Sequence, residues 1–301
     1  MKIAVTGAFS YSGKYVAQRL LARGEEVITL TGHPNRPDPF GGKVKAFPLD
    51  FNNEQGLIRS LKGVDVLVNT YWIRFDHGQN TQSRAVENTR KLVRAAFAAG
   101  VKRIVHVSIT NPSADSHLPY FWGKAANEKA VIESGMSYAI LRPTVLVGAE
   151  DILINNIAYL MRRFPLFGLP GDGSYRLQPI CVDDLADLIV EDVYAKKNYV
   201  NDSVGPDNFT FKEMVELIGE KTGSKALLLP LSPKLALLAA QFLSLFLGDV
   251  LLTPEEVDGL MSGLLVSKEP PRGKTSLADW LDANKGRVGT KYASELERHF
   301  S

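Results

Sequence analysis

The chain has 301 residues, of which 45% are hydrophobic and 23% are charged, a composition that suits a globular protein with a sizeable core. Its 35 basic and 33 acidic residues are spread along the chain and give a net charge of +2, and no basic cluster indicates a nucleic-acid partner. The single cysteine, Cys181, excludes an internal disulfide and fits a reducing compartment. Because the first predicted strand begins at Lys2, we expect no signal peptide and a cytoplasmic location.

Short apolar runs alternate with segments of helical spacing over the first half of the chain. The predicted strands are Lys2–Thr6, Glu26–Leu30, Val44–Leu49, Val64–Asn69, Arg103–Ser108 and Tyr138–Arg142. The predicted helices are Gly13–Arg23, Asn53–Leu61, Thr81–Ala99 and Tyr120–Glu133. This alternation predicts an α/β fold with a doubly wound parallel sheet and helices on both faces.

The alternation weakens after about residue 145, where glycines and prolines cluster. We therefore expect a first domain over residues 1–150 and a smaller, mostly helical C-terminal region over residues 151–301. Leu177–Val182 reads as a strand, and we expect segments near residues 175–200 to return to the first domain.

The stretch Leu235–Leu252 is apolar but is interrupted by Gln241, Ser244, Gly248 and Asp249. A membrane span needs about 20 mostly apolar residues, so an integral span is not expected. The stretch is interpreted as a core or interface helix. Peripheral membrane contact and a homodimer interface are the alternatives.

The sequence TGAFSYSG, Thr6–Gly13, follows the first predicted strand and opens the first helix. Main-chain N–H groups at a helix N-terminus bind phosphate in this context. Gly7 allows a tight turn and Gly13 allows the helix to pack close to the strand, while Ser10 stands where a glycine usually lets a pyrophosphate approach. The candidate cofactor contacts in this loop are Gly7, Phe9, Ser10, Tyr11, Ser12 and Gly13.

The end of the second predicted strand, Leu30–Arg36, selects between the two nicotinamide dinucleotides. An acidic residue there would bind the ribose diol of NAD, whereas a cation accepts the 2′-phosphate of NADP. The segment holds no acid but contains His33 and Arg36, which favours NADP over NAD. The alternative is that Pro34 and Pro37 turn Arg36 outward into solvent.

Several segments in order along the chain resemble the atypical and extended short-chain dehydrogenase/reductases. They are the spacing T-G-x-x-x-x-x-G, PLDF (Pro48–Phe51), VLVNT (Val66–Thr70), ENTRKLVRAAFAAGVKRIVHVS (Glu87–Ser108), YFWGK (Tyr120–Lys124), LRPTVLVG (Leu141–Gly148) and QPICVDDLAD (Gln178–Asp187). The resemblance covers about residues 1–225 and implies an NAD(P)-dependent Rossmann enzyme of the epimerase, dehydratase or reductase kind. The atypical branch also holds regulatory binders and a complex I accessory subunit, so a non-catalytic binder and a nucleotide-sugar epimerase are the alternatives.

The resemblance also implies roles for particular residues. Tyr120 would be the acid/base, and Lys124, four residues later on the same helix face, would hold the nicotinamide ribose and assist the tyrosine. Ser108 or Thr110 would bind the substrate oxygen, although Ile109 between them is a candidate for the register at which the family usually has its serine or threonine. The further cofactor contacts that it implies are Asp50, Phe51, Asn69, Thr70, Tyr71, Lys124, Pro143, Thr144 and Val145.

The chain departs from the family's pattern in the third helix, where Ala85 rather than Asn88 stands at the usual asparagine position. The loop Thr70–Asn80 holds three aromatic residues and is either a wall of the substrate site or an aromatic plug. We expect a small-molecule substrate between the sheet edge and the C-terminal region. No metal is expected, because His77 has no second ligand at a metal spacing.

Overall fold

The computed structural model describes residues 1–33 and 35–299; Pro34 lies outside the described residues. The strands are β1 Lys2–Thr6, β2 Glu26–Thr31, β3 Lys45–Pro48, β4 Val66–Asn69, β5 Arg103–Val107, β6 Ser137–Pro143, β7 Leu146–Val147, β8 Leu166–Pro170, β9 Arg176–Leu177, β10 Ile180–Cys181, β11 Tyr199–Ser203, β12 Phe209–Thr210 and β13 Leu227–Leu231. The helices are α1 Tyr11–Ala22, α2 Glu54–Leu61, α3 Gln82–Ala98, α4 Pro119–Ile132, α5 Leu153–Arg163, α6 Val182–Tyr194, α7 Phe211–Thr222, α8 Pro233–Leu247, α9 Pro254–Met261, α10 Leu277–Asn284 and α11 Glu295–His299.

Seven strands form one sheet in the order β11-β6-β5-β4-β1-β2-β3. Every neighbouring pair is parallel, so all carboxyl ends lie along one edge. The strand order reverses between β1 and β4, and open α/β sheets bind ligands outside the carboxyl ends at such a point. The predicted doubly wound parallel sheet is confirmed, and each strand and helix predicted in the first half of the chain is present.

Local signals and burial explain these elements. Asn53 and Thr81 cap α2 and α3 by accepting hydrogen bonds from main-chain N–H groups of the first turn. The central strands are buried on both faces, as the apolar runs indicate. One core cluster joins β4 and β5 to α2 and α3, and its fully buried members include Leu57, Leu67, Leu92 and Ile104.

The chain divides into two compact units. Unit 1 comprises Met1–Pro143 and Val182–Ser203, and unit 2 comprises Thr144–Cys181 and Val204–Ser301. The segment that returns to unit 1 is α6 and β11, whereas residues 177–181, which are also expected to return, belong to unit 2. Arg19 of α1 donates to Asp183 of α6 at 2.8 Å between Nη2 and Oδ1, and β11 pairs with β6.

The prediction of one strand over Leu177–Val182 is wrong. The structure has two two-residue strands there, β9 and β10, and Val182 begins helix α6. A helix forms from Val182 because the sequence there has helical apolar spacing. Asp183 and Asp184 lie in its first turn, where carboxylates complement the helix dipole.

Unit 2 has its own core, built by α5, α7 and α10 around buried residues such as Ile154, Met214, Ile218 and Leu281. Helix α8 packs beside the two-stranded sheet of β8 and β13. The stretch Leu235–Leu252 is interpreted from the sequence as a core or interface helix, and the core alternative is wrong, because Ala236 is the one buried residue of α8. Within the described residues, no helix has both the length and the apolar character needed to cross a membrane.

Candidate active site

The loop between β1 and α1 is held in one conformation by its glycines. Gly7 has φ of +66°, a left-handed conformation that suits glycine. A Cβ on Gly13 would lie 2.3 Å from the carbonyl oxygen of Gly7, so only glycine lets α1 approach the loop this closely. The N–H of Gly7 donates to the carbonyl of Leu30 at 2.9 Å. The loop is therefore fixed to the carboxyl end of β2 as well as to α1.

The N-terminus of α1 suits an anion. Ser10 is the N-cap residue, yet its side chain makes no capping hydrogen bond, and the first turn holds no acidic residue. Neither a capping oxygen nor a carboxylate therefore competes with a phosphate for the main-chain N–H groups there. The serine that replaces the usual glycine instead accepts a hydrogen bond from Arg36, with 3.2 Å between Nη1 and Oγ.

Arg36 and His33 both lie near this loop. Arg36 is half-buried and reaches Ser10, so the alternative of an outward-turned arginine is wrong. The N–H of His33 donates to Oγ1 of Thr31 at 3.0 Å. Burial and the nearby charge of Arg36 lower the pKa of His33, which leaves Arg36 as the positive group of the pair near neutral pH.

Asn69 and Thr70 fasten the carboxyl ends of β4 and β1 to each other. Thr70 Oγ1 donates to the carbonyl of Thr6 at 2.7 Å, and the N–H of Thr70 donates to Thr6 Oγ1 at 2.7 Å. Asn69 Oδ1 accepts from Thr6 Oγ1 and from the N–H of Tyr71, while its Nδ2 donates to His106 Nδ1 at 3.0 Å. These two predicted cofactor contacts thus have their side chains engaged within the protein.

Phe51 and Tyr71 form an aromatic pair at the carboxyl ends of β3 and β4, with 4.9 Å between ring centroids. Burial raises the pKa of Tyr71. Its hydroxyl accepts from Asn88 Nδ2 at 3.0 Å, so Asn88 supports this aromatic pair. Asp50 is exposed, and its carboxylate accepts from the N–H of Asn52 at 2.9 Å.

Tyr120 and Lys124 lie in the first turns of α4. Tyr120 is half-buried, and Lys124 is 3% exposed. Lys124 Nζ donates to the carbonyl of Val107 at 3.0 Å, which fixes the amine at the end of β5. Burial lowers the pKa of Lys124 to about 7, against the opposing effect of Glu128. The Glu128 carboxylate accepts hydrogen bonds from Nε and Nη2 of Arg142, at 2.9 and 2.6 Å.

Trp72 packs directly over this pair. A Cβ on Gly123 would lie 2.5 Å from Cη2 of Trp72, so the indole rests on the bare helix backbone. The Trp72 ring meets that of Tyr120 edge-on at 5.7 Å, and Lys124 Nζ lies 5.0 Å from its centroid. The two interpretations of the loop Thr70–Asn80, a wall of the substrate site or an aromatic plug, both stay predictions.

Ser108 and Thr110 extend β5 beyond its last assigned residue. Their N–H groups donate to the carbonyls of Leu141 and Pro143, at 2.7 and 3.0 Å, so both bond to the same neighbouring strand. Side chains alternate along an extended chain, which places Ser108 and Thr110 on one face and the buried Ile109 on the other. The Ser108 hydroxyl is buried and has no hydrogen-bond partner among the described residues.

Two further buried residues belong to this region and were not predicted. His106 is fully buried, and burial, with the charge of Lys124, lowers its pKa to about 3. Because Asn69 donates to Nδ1 of His106, the proton of the neutral ring lies on Nε2. Asn127 is fully buried, and both polar atoms of its side chain lack a partner within the described chain. The sequence signal for Asn127 was its position three residues after Lys124, because residues at that spacing share a helix face.

The remaining predicted residues are dispersed. Phe9 packs against Phe40, and Tyr11 packs against Tyr15; Ser12 lies in the first turn of α1, and Ala85 is buried in α3. Pro143 ends β6 in unit 1. Thr144 and Val145 belong to unit 2, where Thr144 Oγ1 donates to the carbonyl of Gln178 and the carbonyl of Val145 accepts from the N–H of Ile180. The part of the chain that the structure describes holds no cluster of three potential metal ligands.

The fold is that of the dinucleotide-binding Rossmann class. Its marks are the parallel sheet with this strand order, the glycine turn against the first helix and the Tyr–Lys pair after β5. The family described as NAD(P)H-binding matches residues 7–158, and this chain belongs to that family. The predicted NAD(P)-binding Rossmann family is thereby confirmed.

Named relatives are similar in fold or sequence. A triphenylmethane reductase of Citrobacter has a TM-score of 0.77 at 18% identity, covering 95% of this chain and 99% of its own. An NADPH-dependent quinone oxidoreductase of Escherichia coli, in complex with NADPH, has a TM-score of 0.74 at 22% identity, covering 93% and 99%. At these identities the likeness is one of fold, which sugar-nucleotide epimerases also share.

A sequence relative belongs to a respiratory assembly. The mitochondrial NADH dehydrogenase [ubiquinone] 1 alpha subcomplex subunit 9 of Arabidopsis thaliana is 25% identical over 229 residues, which is 71% of this chain. The chain spans 56% of the length of that relative.

Proposed function

We propose that this protein is an NADP-dependent oxidoreductase that acts on an oxygen-bearing carbon of a small molecule. One observation carries the proposal: Lys124, whose amine lies 5.8 Å from the Tyr120 ring centroid, is bonded to the end of β5. The carbonyl that holds Lys124 Nζ belongs to Val107, the residue directly before Ser108. The buried Ser108 hydroxyl has no partner among the described residues, and a substrate oxygen would provide one.

The residues present fit a nicotinamide dinucleotide. Gly7 and Gly13 shape the turn for its phosphates, and Arg36 stands over Ser10 where a 2′-phosphate would be recognised. A nicotinamide dinucleotide held by these residues would supply or accept the hydride. Tyr120 then exchanges a proton with the substrate oxygen, and Ser108 donates a hydrogen bond to the same oxygen. Lys124, held by Val107, places positive charge beside Tyr120 when it is protonated.

The test of turnover is a screen of ketones, enones, quinones and nucleotide sugars with NADPH. Tyr120→Phe keeps the ring that packs on Trp72 but removes the hydroxyl, so we expect the rate to fall about a hundred- to ten-thousand-fold with little change in cofactor affinity. Tyr138→Phe is the matched control, because Tyr138 is half-buried at the opposite, amino end of the sheet. Equal rates for wild type and Tyr120→Phe would refute the assignment.

The preference for NADP rests on Arg36. Charge-assisted hydrogen bonds contribute about 1.5–3 kcal/mol, so Arg36→Ala should weaken NADPH binding about ten- to a hundredfold and leave NADH binding nearly unchanged. Arg59→Ala, at an exposed position of α2, controls for the loss of a surface charge. Calorimetry at one ionic strength measures both affinities, and equal losses for the two dinucleotides would contradict the preference.

A second candidate function is dinucleotide binding without turnover. It is favoured by the similarity to the Arabidopsis complex I subunit. In that case Tyr120→Phe has no functional effect, and bound cofactor keeps its redox state with every substrate. The name of that relative places it in mitochondria; a cytoplasmic location for the present chain stays a prediction.

A further inference from the structure

Helix α8 carries a continuous apolar stripe that the protein leaves uncovered. Leu238, Phe242, Leu245 and Phe246 are 61% to 82% exposed, and their spacing places them along one side of the helix. The rings of Phe242 and Phe246 pack edge-on at 4.9 Å. Soluble surfaces rarely expose contiguous apolar patches of this kind without a partner.

The small sheet beside α8 also exposes leucines. Leu227 of β13 and Leu166 of β8 are register partners, and they are 66% and 52% exposed. We call these two leucines and the four residues of the α8 stripe the apolar face. It lies wholly within unit 2.

Exposed basic residues lie in the segments that supply this face. Arg163 ends α5 three residues before β8, Lys225 lies two residues before β13, and Lys234 lies in the first turn of α8; all three are exposed. Because β8 and β13 are parallel and in register, Arg163 and Lys225 lie at the same end of the sheet. Residues 162–170 and 221–248, which supply the face and these basic residues, contain no aspartate or glutamate.

The exposed apolar residues and the nearby basic residues together indicate which kind of partner would bind the apolar face. A second copy in a two-fold dimer would place the same patch opposite itself, so the basic residues would find no carboxylates in these segments. The 15 residues of α8 give a length of about 22 Å, too short for the roughly 30 Å of a bilayer core. A helix with bulky apolar residues on one side and nearby cations instead suits the plane of a lipid surface.

We propose that the apolar face of unit 2 docks the protein on an anionic membrane surface, with Phe242 and Phe246 inserted among the acyl chains and Lys225 and Lys234 at the lipid headgroups. The association is peripheral and reversible. It is independent of the proposed enzymatic activity.

The experiment is vesicle flotation of the full chain with phosphatidylcholine alone and with an equimolar mixture of phosphatidylcholine and phosphatidylglycerol. The wild type should float with the anionic vesicles and release as salt increases. Joint Phe242→Ser and Phe246→Ser substitution should reduce partitioning about tenfold or more. Joint Lys225→Gln and Lys234→Gln substitution should reduce it about fivefold for each lysine at low salt.

Matched controls lie in unit 1. Phe97→Ser removes a phenylalanine that is 59% exposed, and Lys62→Gln removes an exposed lysine; both should float like wild type. Circular dichroism checks that every variant is folded. The proposal is overturned by absence of flotation, by equal binding to neutral and anionic vesicles, or by full binding of the phenylalanine variant. A wild-type dimer in sedimentation velocity that the phenylalanine variant dissociates, without lipid binding, would assign the face to a second copy instead.

Discussion

Replacing Lys124 with methionine should make the protein more stable and less functional, with a defined pH dependence. Methionine has a similar length and no charge, so it suits a position that is 3% exposed. Wild type must bury an amine whose pKa burial lowers from the usual 10.5 to about 7. Lys124→Met removes that cost together with the hydrogen bond to Val107.

The size of the stability difference follows from the pKa of Lys124 in the folded and in the unfolded chain. Above the unfolded pKa near 10.5 the amine is neutral in both states and costs nothing through protonation. As the pH falls toward 7, the unfolded chain takes up the proton first, so wild-type stability decreases. Each tenfold change in proton affinity is about 1.4 kcal/mol, and the full difference is on the order of 5 kcal/mol, reached below pH 7.

Urea denaturation of both proteins across this pH window measures the effect. The stability of Lys124→Met relative to wild type should increase as the pH falls from about 10 to about 7, whatever constant offset the lost hydrogen bond adds. Lys129→Met, at an exposed lysine of the same helix, should follow the wild-type profile. Parallel profiles for wild type and Lys124→Met would refute a strongly depressed Lys124 pKa.

Two glycine substitutions test the packing of the site. Gly123→Ala should be neutral or destabilising in denaturation, although alanine usually favours a helix by about 1 kcal/mol, because its Cβ would lie 2.5 Å from Trp72; adding Trp72→Phe should restore the gain, and a gain without it would contradict the contact. Gly13→Ala should abolish dinucleotide binding in calorimetry, because its Cβ would lie 2.3 Å from the Gly7 carbonyl oxygen. Gly286→Ala is the control for both, because an added Cβ at Gly286 would have no contact within 4 Å. Unchanged dinucleotide affinity of Gly13→Ala would refute the assignment of the loop to phosphate binding.

The sheet and the Tyr–Lys pair were predictable because their signals are local. Buried parallel strands read as continuous apolar runs, and Tyr120 and Lys124 share a helix face by spacing alone. The glycine turn was predictable because Gly7 and Gly13 bracket a strand-to-helix junction. These features need no knowledge of what lies across the sheet.

The rest depends on contacts between residues far apart in sequence. Asn69 could have faced a ligand or the neighbouring strand, and only the fold shows that it holds His106. Gly123 within a helix signals close packing, but not that Trp72 is the group that approaches. The apolar pattern of α8 was also consistent with a core helix, and only the fold shows that a single residue of α8 is buried.

Ser108 offers a final test of whether this region is built for a polar ligand. A buried hydroxyl without a partner costs about 1–3 kcal/mol, so Ser108→Ala should stabilise the protein in urea denaturation while it lowers turnover. Ser60→Ala is the contrast, because Ser60 Oγ donates to the Gly56 carbonyl at 3.0 Å, and its loss should bring no gain. A gain in stability from alanine together with a loss of turnover would support a hydroxyl that binds substrate. Destabilisation by Ser108→Ala of 1 kcal/mol or more would show that the hydroxyl is already satisfied within the protein and would remove this support.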